Sequence, residues 1–139
     1  MPGYQPVDLT PHPEGGRFRE VFRSAVRVVR ADGAERSALT HIYFELRPGE
    51  RSRFHRVTGA EVWNLYRGAL KLHLWDGVGE PETVVLSAGT DCFCAVVPGG
   101  VWQAAEPMGG AALVGCSVGP GFEFEDFEMM ADDASIWPE

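Results

Sequence analysis

The chain has 139 residues, 45% of them hydrophobic and 23% charged, with a formal net charge of −8. That length suits one domain with a single core, no apolar run approaches the roughly 20 residues of a membrane span, and the acidic balance excludes the basic stripe that a nucleic-acid backbone needs. Residues Met1-Pro2-Gly3-Tyr4-Gln5 lack the basic and apolar blocks of a secretory signal, so a cytoplasmic location is expected.

Long helical periodicity is absent, and short strand-forming runs alternate with Gly, Pro and Asp-Gly breaks. Arg17 to Arg23 places Phe18, Glu20 and Phe22 on one parity, and Arg27 to Arg30 is a short extended piece that ends at the hairpin signal Asp32-Gly33. Leu39 to Leu46 puts Ile42, Phe44 and Leu46 on one face and His41, Tyr43 and Glu45 on the other. Glu61 to Tyr66 and Leu70 to Trp75 flank Gly68, and Thr83 to Leu86, Cys94 to Val97 and Ala112 to Val118 complete the strands. Many short strands with such turns predict an all-β sandwich or closed barrel, which buries one face of each sheet and retires its edges. A helical turn or two is expected only near Glu125 to Ala131, and a frayed acidic tail from Asp132 to Glu139.

Arginines crowd the first half, from Arg17 to Arg67, while the charges after Pro120 are all acidic. Two differently charged solvated faces explain this; the sharper alternative has arginines gripping an anionic substrate in a pocket. Cys92, Cys94 and Cys116 are too few and too odd in number for a disulfide framework. Cys92 and Cys94, two apart, are expected on one strand face.

The segment from Gly49 to Gly68 carries the chemistry. Gly49, His55, Glu61 and Gly68 fit the spacing G-x5-H-x-H-x3-E-x6-G of the first cupin motif, with Val57 in place of the second histidine. Residues two apart on a strand point the same way, so an imidazole and a carboxylate converge on one point, suited to a divalent metal or to proton transfer. The second motif ends P-x-G-x-x-H, and Pro98-Gly99-Gly100-Val101-Trp102-Gln103 supplies it with Gln103 in the last position. Two of four usual metal ligands are absent, leaving His55, Glu61 and Gln103 as a weak candidate divalent-metal site.

Leu9-Thr10-Pro11-His12-Pro13-Glu14-Gly15-Gly16, Thr40-His41-Ile42-Tyr43-Phe44 and the block Pro120-Gly121-Phe122 with Phe124-Glu125-Asp126-Phe127-Glu128 resemble the single-domain cupin subfamily called cupin-5, a former domain of unknown function. The resemblance runs from about Leu9 to Glu128. It implies a double-stranded β-helix, the cupin jelly roll, similar in shape to sugar epimerases and seed-storage cupins and usually a homodimer, but no activity. A dimer would let a strand such as Arg17 to Arg23 pair across two barrels. Members often carry a glutamine before the Val-Pro turn; here Asp91 to Val97 has none, and Cys94 is the candidate to line the pocket instead.

Glu61 among Ala60, Val62 and Trp63 is expected to face the pocket, since a carboxylate in a barrel interior is costly unless used. Trp63 and Leu65 share its parity and are candidate wall residues, and Trp102 and Gln103 are placed at the mouth. Tyr43 and His73 are candidate acids, with the inward choice between His41 and His73 left open by strand register. His12 and Glu14 are read as a turn before Gly15-Gly16, or as closing one end of the pocket, and Phe122, Phe124 and Phe127 as core or dimer packing. These residues predict an isomerase, epimerase or lyase acting on a sugar-like or polar carbonyl substrate, with His55 as base and Glu61 orienting it. The alternative is a non-catalytic small-ligand-binding barrel, and a weaker one is a metal-dependent oxygenase.

Overall fold

A computed structural model describes residues 3–138, so Met1, Pro2 and the final acid Glu139 lie outside the described residues. The strand-forming runs assemble into two facing antiparallel sheets. The first holds, in spatial order, β1 (Thr10–Pro11), β2 (Arg17–Arg23), β5 (Thr40–Leu46), β12 (Ala112–Gly119), β7 (Ala60–Arg67) and β10 (Cys94–Val97). The second holds β13 (Phe127–Met129), β6 (Ser52–Val57), β11 (Trp102–Pro107), β8 (Ala69–Trp75) and β9 (Glu82–Ser87). A separate hairpin joins β3 (Arg27–Val29) to β4 (Glu35–Ser37) around the Asp32-Gly33 turn. Within the two sheets, apart from the β1–β2 and β8–β9 pairs, neighbours in space are not consecutive in sequence, as in a jelly roll.

Alternation decides what each strand buries. Phe44 and Leu46 on β5, Trp63 on β7, and Val114 and Cys116 on β12 meet Leu70 and Leu72 on β8, Leu86 on β9 and Ala105 on β11 in one core. Each fully buried Leu or Phe contributes about 1.5–3 kcal/mol relative to exposure. These side chains fill one part of the barrel, and the polar inward residues gather beyond them, beside a cavity.

Two irregularities set the faces around that cavity. On β6, Gln103 pairs with His55 but Ala105 pairs with Ser52, so β6 carries one extra residue between the two contacts. This bulge turns Ser52 and His55 to the same side and sends Phe54 outward. On β2, Glu20 pairs with Ile42 while Phe22 pairs with His41, which breaks the expected Phe18-Glu20-Phe22 face and leaves Phe22 half exposed.

Three local expectations are corrected. The helix expected near Glu125 to Ala131 is a single 3-10 turn at Phe124–Asp126, and Phe127–Met129 continues as strand against Val57 to His55. Trp102–Pro107, which the turn signals on either side obscured, is a full strand between β6 and β8. The tail is seated through Trp137: Asp133 accepts from the Phe54 backbone N–H at 3.0 Å and from Trp137 Nε1 at 3.0 Å. The Trp137 ring lies edge-on to Phe54 and His73, under the Arg51 guanidinium. No helix among the described residues is long and apolar enough to cross a membrane.

Candidate functional site: a buried His and Glu cluster at one end of the barrel

A cavity of about 230 Å³ opens between the sheets, with His12, Glu14, His55, Glu61 and Cys116 among its polar and thiol lining. Phe18, Phe122, Phe124 and Phe127 supply aromatic wall. The last three were expected as core or dimer packing; the chain from Phe122 through the 3-10 turn to β13 instead carries them along the cavity.

Glu14 reaches the cavity because the loop after β1 presses against β6. Gly15 has φ +114°, and a Cβ there would strike the Arg51 carbonyl oxygen, so only glycine permits the approach. The Arg53 N–H donates to the Glu14 carbonyl at 2.7 Å, and the Ser52 hydroxyl donates to Glu14 Oε2. Glu14 is 6% exposed, and burial pushes its carboxyl up to about 8, the Ser52 bond opposing only part of that rise. The Glu14 N–H donates to His12 Nδ1 at 3.1 Å, which leaves the ring proton of neutral His12 on Nε2. Burial, and then the neighbouring His55, hold His12 down to about 4.

His55 is 2% exposed, and its Nδ1 lies 2.7 Å from the Arg53 carbonyl. A carbonyl only accepts, so Nδ1 carries the proton and Nε2 keeps its lone pair. That Nε2 is 3.5 Å from Glu14 Oε2, longer than a normal hydrogen bond. Burial lowers the imidazole's proton affinity, opposed by Glu61 and by the Arg53 bond. The ring stacks on Phe127 with centroids 5.4 Å apart. The orienting group for His55 is therefore the Arg53 carbonyl, not Glu61 as expected.

Glu61, near the start of β7, is flanked by β10 and β12 and pairs with Val97 and Val118. Its Oε1 accepts from Gln103 Nε2 at 2.9 Å, and Cys116 lines the same cavity. Burial raises its carboxyl to about 7, with His55 opposing and Glu14 adding to the rise. Burial also lifts the Cys116 thiol well above its ordinary value, helped by Glu61 and Glu14, so it is a neutral wall group.

The remaining candidates are elsewhere. Tyr43 lies on the outer face of β5 and donates its hydroxyl to the Tyr4 carbonyl at 2.8 Å. Neither open histidine points inward: His41 meets Ser117 and Tyr66 outside the first sheet, and His73 meets Thr83 and Glu106 under Trp137 outside the second. Inward residues on β8 are Leu70, Leu72 and Leu74, so His73 takes the opposite parity. Cys94 is exposed on the edge strand β10, while Cys92, before the strand begins, packs on the core, so the two do not share a face. Trp102 turns outward beneath Arg56, 4.4 Å from the guanidinium carbon, and Leu65 packs on the core. Trp63 lies behind the cavity wall, bonded to Gln103. Of the arginines, Arg23 alone lines the cavity among the described residues, and Glu20, Glu123 and the Phe122 carbonyl engage it, which leaves no free fork for an anion.

The fold and the inward His55 and Glu61 define a cupin-type barrel. The family model described as Cupin superfamily (DUF985), Cupin_5, matches residues 5–130, and the chain belongs to that family. Among solved structures, a hypothetical protein from Leishmania major is 33% identical, covering 89% of this chain and 82% of its own with a TM-score of 0.81. A protein from Shewanella oneidensis solved by X-ray crystallography is 34% identical, covering 92% and 82%, also with a TM-score of 0.81. Oxalate decarboxylase from Bacillus subtilis, a protein with Mn(II) centres, is 19% identical over 97% of this chain and 33% of its own, with a TM-score of 0.67, and shares the fold. No curated protein matches the sequence.

The residues here do not fit a metal of that kind. Trp63 Nε1 can only donate, and it donates to Gln103 Oε1 at 2.7 Å, which turns the amide nitrogen toward Glu61. Gln103 thus offers no oxygen to an ion, Val57 offers nothing, and among the described residues no three His, Cys, Asp or Glu side chains are arranged to hold a metal.

Proposed function

We propose that the chain is a small-molecule enzyme of the isomerase, epimerase or lyase type, moving a proton on a polar carbonyl or sugar-like substrate within this cavity. The observation that carries the reading is the tautomer of His55. Its Nδ1–H is committed to the Arg53 carbonyl, so a neutral ring presents the Nε2 lone pair to the cavity beside two buried carboxyl groups. Near neutral pH the ring is held in its base form while burial keeps Glu14 and Glu61 partly in the acid form. A base and an acid that coexist at one pH are what enolisation needs. His55 Nε2 takes the proton from the carbon next to the carbonyl as Glu14 or Glu61 gives one to the carbonyl oxygen; reversal at the same or a neighbouring carbon completes an isomerisation or epimerisation. The roles first expected of Tyr43 and His73 pass to these glutamates.

The test is solvent deuterium incorporation, read by proton NMR, over a panel of small aldoses, ketoses, amino ketones and keto acids. Exchange at the carbon beside the carbonyl, abolished in His55→Asn with the fold intact, is the expected result. A panel that never exchanges, or exchange that survives the substitution, overturns the reading and leaves the ligand-binding alternative, which the aromatic wall of Phe122, Phe124 and Phe127 favours.

A further inference from the structure

The charges that face the cavity are unequal. Four carboxyl groups line it, Glu14 and Glu61 at depth and Glu20 and Glu123 at the mouth, against the single guanidinium of Arg23. Arg23 is spent on the mouth pair: it bonds Glu20 at 2.7 Å, Glu123 at 2.9 Å and the Phe122 carbonyl at 3.0 Å. The deep pair has only neutral partners. Glu14 is held by Ser52 and faces His12, whose Nδ1 accepts the Glu14 N–H, and His55, whose ring burial keeps neutral; Glu61 is held by the Gln103 amide. Both carboxyl groups are more than nine-tenths buried, and among the described residues no arginine or lysine reaches either.

An anion entering here would meet acids with no donor cation to offset its desolvation. A cation would meet two carboxyl groups that lack a counter-charge and a wall of Phe18, Phe122, Phe124 and Phe127, whose ring faces attract positive charge. The chain's net charge of −8 draws cations toward the mouth as well. Resting on the proposed use of this cavity, we propose that its ligand is a small cation: a molecule with a protonated amine that meets the Glu14 and Glu61 pair, one carboxyl ionised against it and the other still protonated, on a body that packs against the phenyl rings. This stands against the alternative of an anion held by arginines.

Two matched sets of probes test it by titration calorimetry at pH 7.5 and low salt, roughly where one Debye length spans the cavity mouth. One set is cyclohexylamine, cyclohexanol and cyclohexanecarboxylate; the other is 1-amino-2-propanol, 1,2-propanediol and lactate. The expected result is that the amine of at least one set binds about tenfold more tightly than its alcohol, with the carboxylate weaker still. That preference falls in Glu61→Gln and in Glu123→Gln, the latter at the rim where folding is not at stake. Equal or tighter binding of an alcohol or carboxylate, no binding by any of the six, or a preference untouched by both substitutions overturns the inference. Failure here is separable from failure of the enzyme reading. Amine selectivity without His55-dependent deuterium exchange keeps the cation and removes the catalysis; His55-dependent exchange on neutral carbonyls without amine selectivity does the reverse.

Discussion

Trp63 Nε1 donates to Gln103 Oε1 at 2.7 Å, and this bond decides which end of the amide meets Glu61. Both side chains are buried, at 1% and 0% exposure, so neither can exchange the contact for water. Trp63→Phe keeps most of the ring but leaves the amide oxygen without its donor. The cost should be about 1–3 kcal/mol, the penalty for one buried unsatisfied acceptor plus the lost ring volume. A urea titration with unchanged slope and a lower midpoint is the check. A midpoint equal to that of the parent chain would mean the amide is oriented by something other than Trp63.

The same bond governs metal affinity. In the motif this sequence matches, histidines stand where Val57 and Gln103 stand here. Val57→His with Gln103→His should create a four-donor set with His55 and Glu61, and near-stoichiometric Mn(II), Co(II) or Ni(II) should remain after dialysis. The unmodified chain should retain about tenfold less or none, since one imidazole and one carboxylate make a poor site. Elemental analysis of both proteins decides this. Stoichiometric metal in the unmodified chain would show that Glu14 serves as a ligand in place of Gln103.

Gly15→Ala tests the support of Glu14. The backbone there is at φ +114°, which L side chains rarely adopt, and the new methyl would strike the Arg51 carbonyl. A loss of about 2–4 kcal/mol is expected from strain and displacement of the loop. Amine binding and deuterium exchange should fall with it, because Glu14 leaves Ser52 and His55. Gly33→Ala is the control: its φ is also positive, at +87°, but a Cβ there meets no atom within 4 Å, so only the turn's own backbone strain is added. Only the first should affect ligand binding.

Much of the fold was legible because strand alternation and turn residues are local signals. Ile42, Phe44 and Leu46 read as one buried face and are one. The inward placement of His55 and Glu61 came from motif spacing, which encodes the two facing sheets. What could not be read depends on events that alternation does not record. The bulge at Arg53 and Phe54 puts Ser52 on the side of His55, and no residue there signals the extra step. The parity of His73 was visible, but which sheet face was outer depended on how β8 pairs with β11 and β9. Glu14 reaches the cavity by a loop contact across 38 residues of sequence. Its signal was present nonetheless: a His and a Glu just before a Gly-Gly pair that allows close approach. Trp137 seats the tail on Phe54 and His73, a contact that an acidic terminal composition hid.

The buried acids also predict how stability varies with pH. Glu14 and Glu61 titrate at about 8 and about 7 when folded, against an ordinary carboxyl value of 4.5. Between those limits the folded state holds more protons than the unfolded state, so both groups make stability fall as pH rises. His12 runs the other way. Its folded value is about 4 against an ordinary 6.5, so the unfolded state holds the extra proton and stability rises with pH across that range; His55, also lowered by burial, adds to it. From about pH 4.5 to 6.5 the two imidazoles and two carboxyl groups oppose each other, giving a broad plateau. Above the imidazole range only the glutamates titrate, and stability should fall by about 2–3 kcal/mol between pH 6.5 and 8.5. Thermal melts across this range check it, with Glu14→Gln/Glu61→Gln as the comparison. The amide mimics the neutral acid and cannot ionise, so the double variant should match the parent only near pH 4, gain on it as the pH rises, and lose the decline above pH 6.5. An equal decline in both proteins would place the alkaline sensitivity outside the cavity. A saturating amine should flatten the parent's decline as well, since a bound cation stabilises the ionised carboxylates that burial disfavours.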